Sequence, residues 1–191
     1  MPSPLLTHIT QHIPLTPSEE ARVLEAITER QIKRKSLLLR SGEACRHLYF
    51  VLEGSLRAFF INPDGKESTV MFALPDWWIT DMPCFVRQTA AMVSIEALED
   101  SKILQIGYAD LQKLYEMVPA FERLFRILMQ NAYVREQLRV LDNLSLTTLE
   151  RYDRFVQKYP QLVSRITQKQ IASYLGVTPE FLSSVIRKRE A

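Results

Sequence analysis

Three histidines, two cysteines and a basic C-terminal segment hold most of the reactive or ligating side chains in this 191-residue chain. Cys45 and Cys84 belong to no CxxC pair and form no disulfide framework, so neither a redox motif nor a zinc knuckle is expected. His8 and His12 stand one helical turn apart, a spacing that suits a metal. No third ligand accompanies them, and a solvated surface pair is expected instead. Cupin-type metal enzymes use a His-x-His pair with further His and Glu ligands, and His47 is the one histidine in the middle of the chain. No pattern supports haem held by His47 or Cys84. The chain therefore reads as a non-enzyme with no metal and no cofactor. Trp77 and Trp78, with Phe72 and Met82, make an apolar group that either lines a small pocket or fills a barrel mouth. With Arg87, the two tryptophans are the candidate contacts for an effector.

The strongest chemical pattern is Thr167 to Lys188, TQKQIASYLGVTPEFLSSVIRK. Thr167 and Gln170 make a capping box for a first short helix. Gly176 supplies the left-handed exit, and Thr178 caps a second helix with Pro179 at its first position. Ile171, Ala172, Leu175, Val177, Leu182 and Val185 fall where two crossed helices face each other. Glu180, Ser183, Ser184 and Arg187 are left outward, toward a groove of DNA. From Ser164 to Arg189 there are five basic residues and one acid, a balance that suits phosphates. The expected DNA contacts are Thr167, Gln168, Lys169, Thr178, Glu180, Ser183, Ser184, Arg187, Lys188 and Arg189.

Other elements must position this unit. Thr16-Pro17-Ser18-Glu19 predicts a helix through about Arg30, with Val23, Leu24 and Ile27 on its apolar side. From Lys35, short apolar runs at Leu37-Leu39, Leu48-Leu52, Ser55-Ile61, Ser68-Leu74, Ala91-Leu98 and Ser101-Ile106 alternate with turn signals. That texture predicts an antiparallel barrel or jelly roll. A helix is expected from Ala109 to Val118, and a long one from Pro119 to about Leu144. On the long helix Phe121, Leu124, Phe125, Leu128, Ala132, Leu138 and Leu141 recur at helical spacing, a stripe suited to pairing with an identical helix. Thr147 to Lys158 forms another helix, stopped before Tyr159-Pro160. The fold class is α+β: a barrel domain over residues 1–118, a connecting helix over 119–144 and a helix-turn-helix domain over 145–191.

Composition sets limits. A net charge of +2 is too small to make the whole molecule a polyanion binder, so the basic excess is local. No secretory signal shows in the first 30 residues, and no run approaches the roughly 20 apolar residues of a membrane span. The cytoplasm, without membrane contact, is the expected place.

Gly42-Glu43, Leu48 to Ser55, Asp64-Gly65-Lys66-Glu67 and Thr167 to Lys188, in this order, resemble the cAMP receptor protein and fumarate-nitrate regulator (Crp/Fnr) family along nearly the whole chain. The resemblance implies a homodimeric transcription factor that binds double-stranded DNA, with an effector-sensing barrel and RNA polymerase as a further partner. It implies a base contact for Glu180, while Pro179 and Ser184 replace arginines of the best-known members. The family's nucleotide binders carry Gly-Glu and Arg-Ser or Arg-Thr pairs late in the barrel. Here Pro75 to Cys84 lacks Gly-Glu and the arginine falls near Ala91, so cyclic nucleotides are not expected to bind. Two cysteines cannot supply the four ligands of an iron-sulfur cluster. With the sequence ending at Ala191, the family's β-wing is expected to be missing, with fewer phosphate contacts. The alternative is a cyclic-nucleotide-binding signalling module whose shortened DNA domain binds protein.

Overall fold

Prolines and capping pairs cut this chain into helices, and glycine turns cut it into strands. The computed structural model describes residues 3–190; residues 1 and 2 and the expected lack of a wing beyond Ala191 lie outside them. The helices are α1 (Pro4–Thr10), α2 (Pro17–Glu25), α3 (Met82–Arg87), α4 (Tyr108–Met117), α5 (Ala120–Ser145), α6 (Thr148–Lys158), α7 (Pro160–Val163), α8 (Gln168–Leu175) and α9 (Pro179–Glu190). The strands are β1 (Thr28–Ile32), β2 (Leu37–Leu39), β3 (His47–Glu53), β4 (Leu56–Ile61), β5 (Glu67–Ala73), β6 (Trp78–Ile79), β7 (Ser94–Ala97) and β8 (Ser101–Gly107).

The strands form two antiparallel sheets, ordered β1-β8-β3-β6 and β2-β7-β4-β5. The buried apolar core holds Tyr49, Val51, Leu56, Ile95 and Ile103, while Leu48, Phe50 and Ile106 share the other face of the β3–β8 pair, where Phe50 meets His8 of α1 and Trp78. Burying each such side chain contributes about 1.5–3 kcal/mol. α1, α4 and the first half of α5 close this core with Leu5, Ile9, Leu114, Phe121 and Leu124.

Two expectations on the N-terminal side are corrected. α2 opens with the expected box, in which the Glu19 carboxylate accepts from the Thr16 amide at 2.8 Å. It ends at Glu25, well short of Arg30, because Thr28–Ile32 is claimed by the sheet and pairs with Ser101–Gln105 of β8. Val23 alone of the predicted apolar set is fully buried, and Leu24 is exposed. The barrel therefore begins before Lys35. Tertiary pairing has overridden a local helical pattern. β6, α3 and α7 are short elements with no periodicity long enough to announce them.

The two sheets meet at tight turns, and Gly54, between β3 and β4, sits at the tightest. Its φ is +87°, and a Cβ placed there would lie 2.2 Å from Ser101 Oγ and 2.8 Å from Ser101 Cα. At Gly65, between β4 and β5, φ is +79° with open space around the position. Gly54→Ala should therefore cost about 2–4 kcal/mol, from backbone strain plus steric overlap. Gly65→Ala should cost only the strain, about 1–2 kcal/mol. Urea unfolding midpoints measure both, and equal losses would show that the Ser101 contact does not matter.

Candidate nucleic-acid interface

The C-terminal unit is built as its residue types dictate. The Thr167 hydroxyl accepts from the Gln170 amide at 3.3 Å while the Gln170 side chain accepts from the Thr167 amide at 2.9 Å. Gly176 ends α8 with φ of 71°, and the Val177 amide returns to the Ala172 carbonyl at 3.0 Å. The Thr178 hydroxyl accepts from the Phe181 amide at 3.2 Å, capping α9. Ile171, Ala172, Leu175 and Leu182 are buried with Phe155, Tyr159 and Leu162. Val177 and Ile186 cover the edge of this small core, with Ile186 in the place expected for Val185. Arg151 on α6 donates to the Leu175 carbonyl at 2.9 Å, satisfying the C-terminal end of α8.

On the outer face, Thr167, Gln168, Lys169, Thr178, Glu180, Arg187, Lys188 and Arg189 are exposed. Ser183 and Ser184 differ: both are half-buried and engaged locally. The Ser183 hydroxyl donates to Gln168 Oε1 at 3.1 Å, and the Ser184 hydroxyl to the Phe181 carbonyl at 3.1 Å. Arg189 pairs with Asp153 at 2.5 Å and Arg165 with Glu99 at 3.2 Å, so neither is free for a phosphate in this arrangement. Lys169, Arg187 and Lys188 have no ion pair among the described residues. Phe181, a large apolar residue in the first turn of α9, is half-exposed beside Glu180.

The unit does not stand apart from the barrel. β5 is the edge of its sheet, and Ser173 on α8 completes that edge. Its hydroxyl donates to the Glu67 carbonyl at 2.8 Å and accepts from the Thr69 amide at 2.8 Å. Beside it, Phe72 of β5 meets Tyr174 and Phe155 at ring distances of 5.5 and 6.1 Å. Trp77 meets Tyr159 at 5.9 Å. Arg139 of α5 lies 4.4 Å above the Tyr174 ring and donates to the Val70 carbonyl at 2.6 Å. Burial pushes the hydroxyl pKa values of Tyr159 and Tyr174 upward. A cleft of about 1180 Å³ separates the N-terminal ends of α8 and α9 from the barrel wall at Arg34, Lys35, Lys66 and Glu96.

The predicted dimer stripe divides in two. Phe121, Leu124 and Phe125 are buried in the core of their own subunit, and Leu128 packs against it. Helical spacing reports an apolar face but not which partner covers it, so these residues are corrected to intrasubunit packing. Ala132 is half-buried. Leu138 and Leu141 are 54% and 57% exposed, and Tyr133, Val134, Val140 and Leu144 extend the exposed apolar surface.

The effector candidates also separate. Trp78 packs on Phe50 and Phe125, Trp77 faces the C-terminal unit, and Arg87 is exposed in the last turn of α3. At Ala91, where the resemblance puts the nucleotide binders' arginine, the side chain is buried and the backbone is bonded to Gly42 and Glu43. Asp81 is buried close by, its carboxylate accepting from the amides of Met92 and Val93 at 2.7 and 3.0 Å. A buried carboxylate with no facing cation does not fit a cyclic phosphate. His47 has a pKa lowered chiefly by burial and then by Arg30 and Arg46, and burial raises the Cys45 thiol. His8 is half-buried against Phe50, which corrects the expected solvated pair. Among the described residues no three His, Cys, Asp or Glu side chains gather to hold a metal, and no helix is long and apolar enough to cross a membrane.

Comparison with known proteins agrees with this geometry. Residues 29–117 match the cyclic nucleotide-binding domain family. Regulatory protein HlyX of Actinobacillus pleuropneumoniae is 26% identical over 91% of this chain and 78% of its own length. The fumarate and nitrate reduction regulatory protein of Vibrio cholerae is 26% identical over 91% and 74%. Among solved structures, the c-di-GMP-responsive global regulator CLP of Xanthomonas campestris superposes with a TM-score of 0.76 at 16% identity, covering 92% of both chains. The catabolite activator protein of Thermus thermophilus gives 0.60 at 22% identity, covering 97% of this chain and 86% of that one. These likenesses show the fold.

Two outcomes are expected. Calorimetry with cAMP or cGMP should be silent at millimolar concentration; micromolar binding of either would contradict the reading of Asp81 and Ala91. Ser173→Ala strands a backbone amide and carbonyl at the sheet edge, which should loosen the docking by about 1–3 kcal/mol. Hydrogen exchange in the β5 peptides should then accelerate by roughly 5- to 150-fold. Unchanged exchange there would show that Ser173 does not hold the edge.

Proposed function

We propose that the chain is a transcription regulator of the Crp/Fnr type, a homodimer reading a two-fold symmetric operator through α9. Regulators of this type bind DNA and form dimers. The observation that carries the reading is the C-terminal unit itself: a capped, closed helix pair whose outer face keeps Lys169, Glu180, Arg187 and Lys188 exposed. Residues 1–118 form the sensing domain, residues 119–144 the connecting helix and residues 145–191 the DNA-binding domain. The second half of α5, through Leu138 and Leu141 with the exposed residues around them, joins the subunits. The protein acts in the cytoplasm, without catalysis, and meets RNA polymerase at its promoters.

Its effector is an unidentified small molecule and not a cyclic nucleotide. Iron-sulfur control is not carried over from the fumarate-nitrate relatives, because a cluster takes four thiolates and this chain has two cysteines, both buried. The docked unit offers a means of control. The N-terminal ends of α8 and α9 face the barrel across the cleft, whereas a recognition helix must enter a groove about 12 Å wide. An effector acting on the barrel reaches the reader through β5. The alternative, a shortened unit that binds protein, has no feature of its own to support it.

The test is selection of an operator from random duplexes, then binding of wild type and of Leu138→Glu/Leu141→Glu to it. Wild type should select half-sites about 34 Å apart. The double variant should sediment as a monomer and lose roughly 10²-fold in affinity as the second half-site contact becomes independent. No selected sequence would overturn the DNA reading. A folded variant that remains dimeric would move the interface off α5.

A further inference from the structure

The exposed side chains in the first turn of α9 include one that the polar pattern passes over. Ser183 and Ser184 are both engaged, one with Gln168 and the other with the Phe181 carbonyl. Pro179 has no donor. Glu180 and Phe181 remain as the exposed side chains of that turn.

Phe181 is 50% exposed, whereas its neighbour Leu182 is fully buried in the small core. One exposed apolar residue on a protein surface requires no explanation by itself. This one occupies the N-terminal turn of the groove-entering helix, the part whose side chains contact base edges. It also adjoins a carboxylate that is exposed and unpaired among the described residues. A base edge in the major groove offers one apolar group, the C5-methyl of thymine, and an aromatic ring is among the side chains that contact it. Glu180 suits the amino group of cytosine. Successive helical residues rise 1.5 Å and turn by about 100°, so Glu180 and Phe181 leave the same turn in different directions and meet different base pairs of one half-site.

We propose that Phe181 is a specificity-determining residue that recognises a thymine methyl group in the half-site read by Glu180. The assignment rests on the reading of α9 as the groove-facing helix. It gives the half-site an apolar determinant, where members of the family with arginines at positions 179 and 184 have charged ones.

The experiment replaces each thymine of the selected operator, one at a time, by deoxyuridine, which removes the methyl group and leaves pairing intact. Wild type should lose about fourfold in affinity at one position per half-site, the worth of one small apolar group removed from water. Phe181→Ala should bind thymine and deoxyuridine equally at that position, while Glu180→Ala should keep the difference. Phe181→Ala should still unfold in one cooperative transition, slightly below wild type, since only half of the side chain is buried. A wild type with no deoxyuridine-sensitive position, or a Phe181→Ala variant that keeps the penalty, overturns the assignment. Selected and scrambled DNA are compared in the same series. Equal binding to the two would sink the reading of α9 itself, whereas a retained preference without methyl sensitivity would sink only the role of Phe181.

Discussion

The open edge of β5 is the constraint around which this molecule is assembled. A sheet edge presents backbone amides and carbonyls that must be paired or left in water. Here α8 lies across the edge, and one serine hydroxyl accepts from the Thr69 amide while donating to the Glu67 carbonyl. That contact brings Phe72 into the core of the C-terminal helical unit and places the ends of α8 and α9 opposite the barrel wall. A hydroxyl can serve both partners because it donates and accepts at once, which an alanine or a lysine cannot do.

Arginines hold the same junction. Arg57, only 5% exposed, pairs with Glu67 at 2.5 Å and with Glu96, and its guanidinium lies over Phe59. An unpaired charge at that depth costs several kcal/mol, so Arg57 and its two carboxylates form a unit. The Glu67 carboxylate binds Arg57 while the Glu67 carbonyl binds Ser173, so a single residue links the barrel's buried charge to the docked helix. Arg139 bridges α5 to the Val70 carbonyl and the Tyr174 ring. Contacts thus run without a break from α5 and the sheet edge to α8.

Much of the fold could be read in the residues. The capping boxes at Thr16 and Thr167, the glycine exit at Gly176, the proline start of α9 and six of the eight strands are local signals, and local forces suffice to set them. Other features are not local. Thr28–Ile32 reads as helix because its neighbours favour one, yet β8 offers it a strand partner some 70 residues away. The apolar stripe of α5 was visible, but its division into a half that meets the barrel and a half that faces outward was not. Phe181 was hidden for the opposite reason, since an apolar residue in an amphipathic helix is read as core until its exposure is known.

The sequence by itself determined the capped helix pair, its local positive charge and the missing nucleotide signature, because each depends on residue types at fixed short spacing. The tertiary structure alone decided that Ser173 closes the edge of β5, that Asp81 binds the amides of Met92 and Val93, and that Ser183 and Ser184 donate local hydrogen bonds. These contacts join residues far apart in the chain or turn on a side chain's direction. A hydrogen bond depends on distance and angle, and spacing along a sequence contains neither.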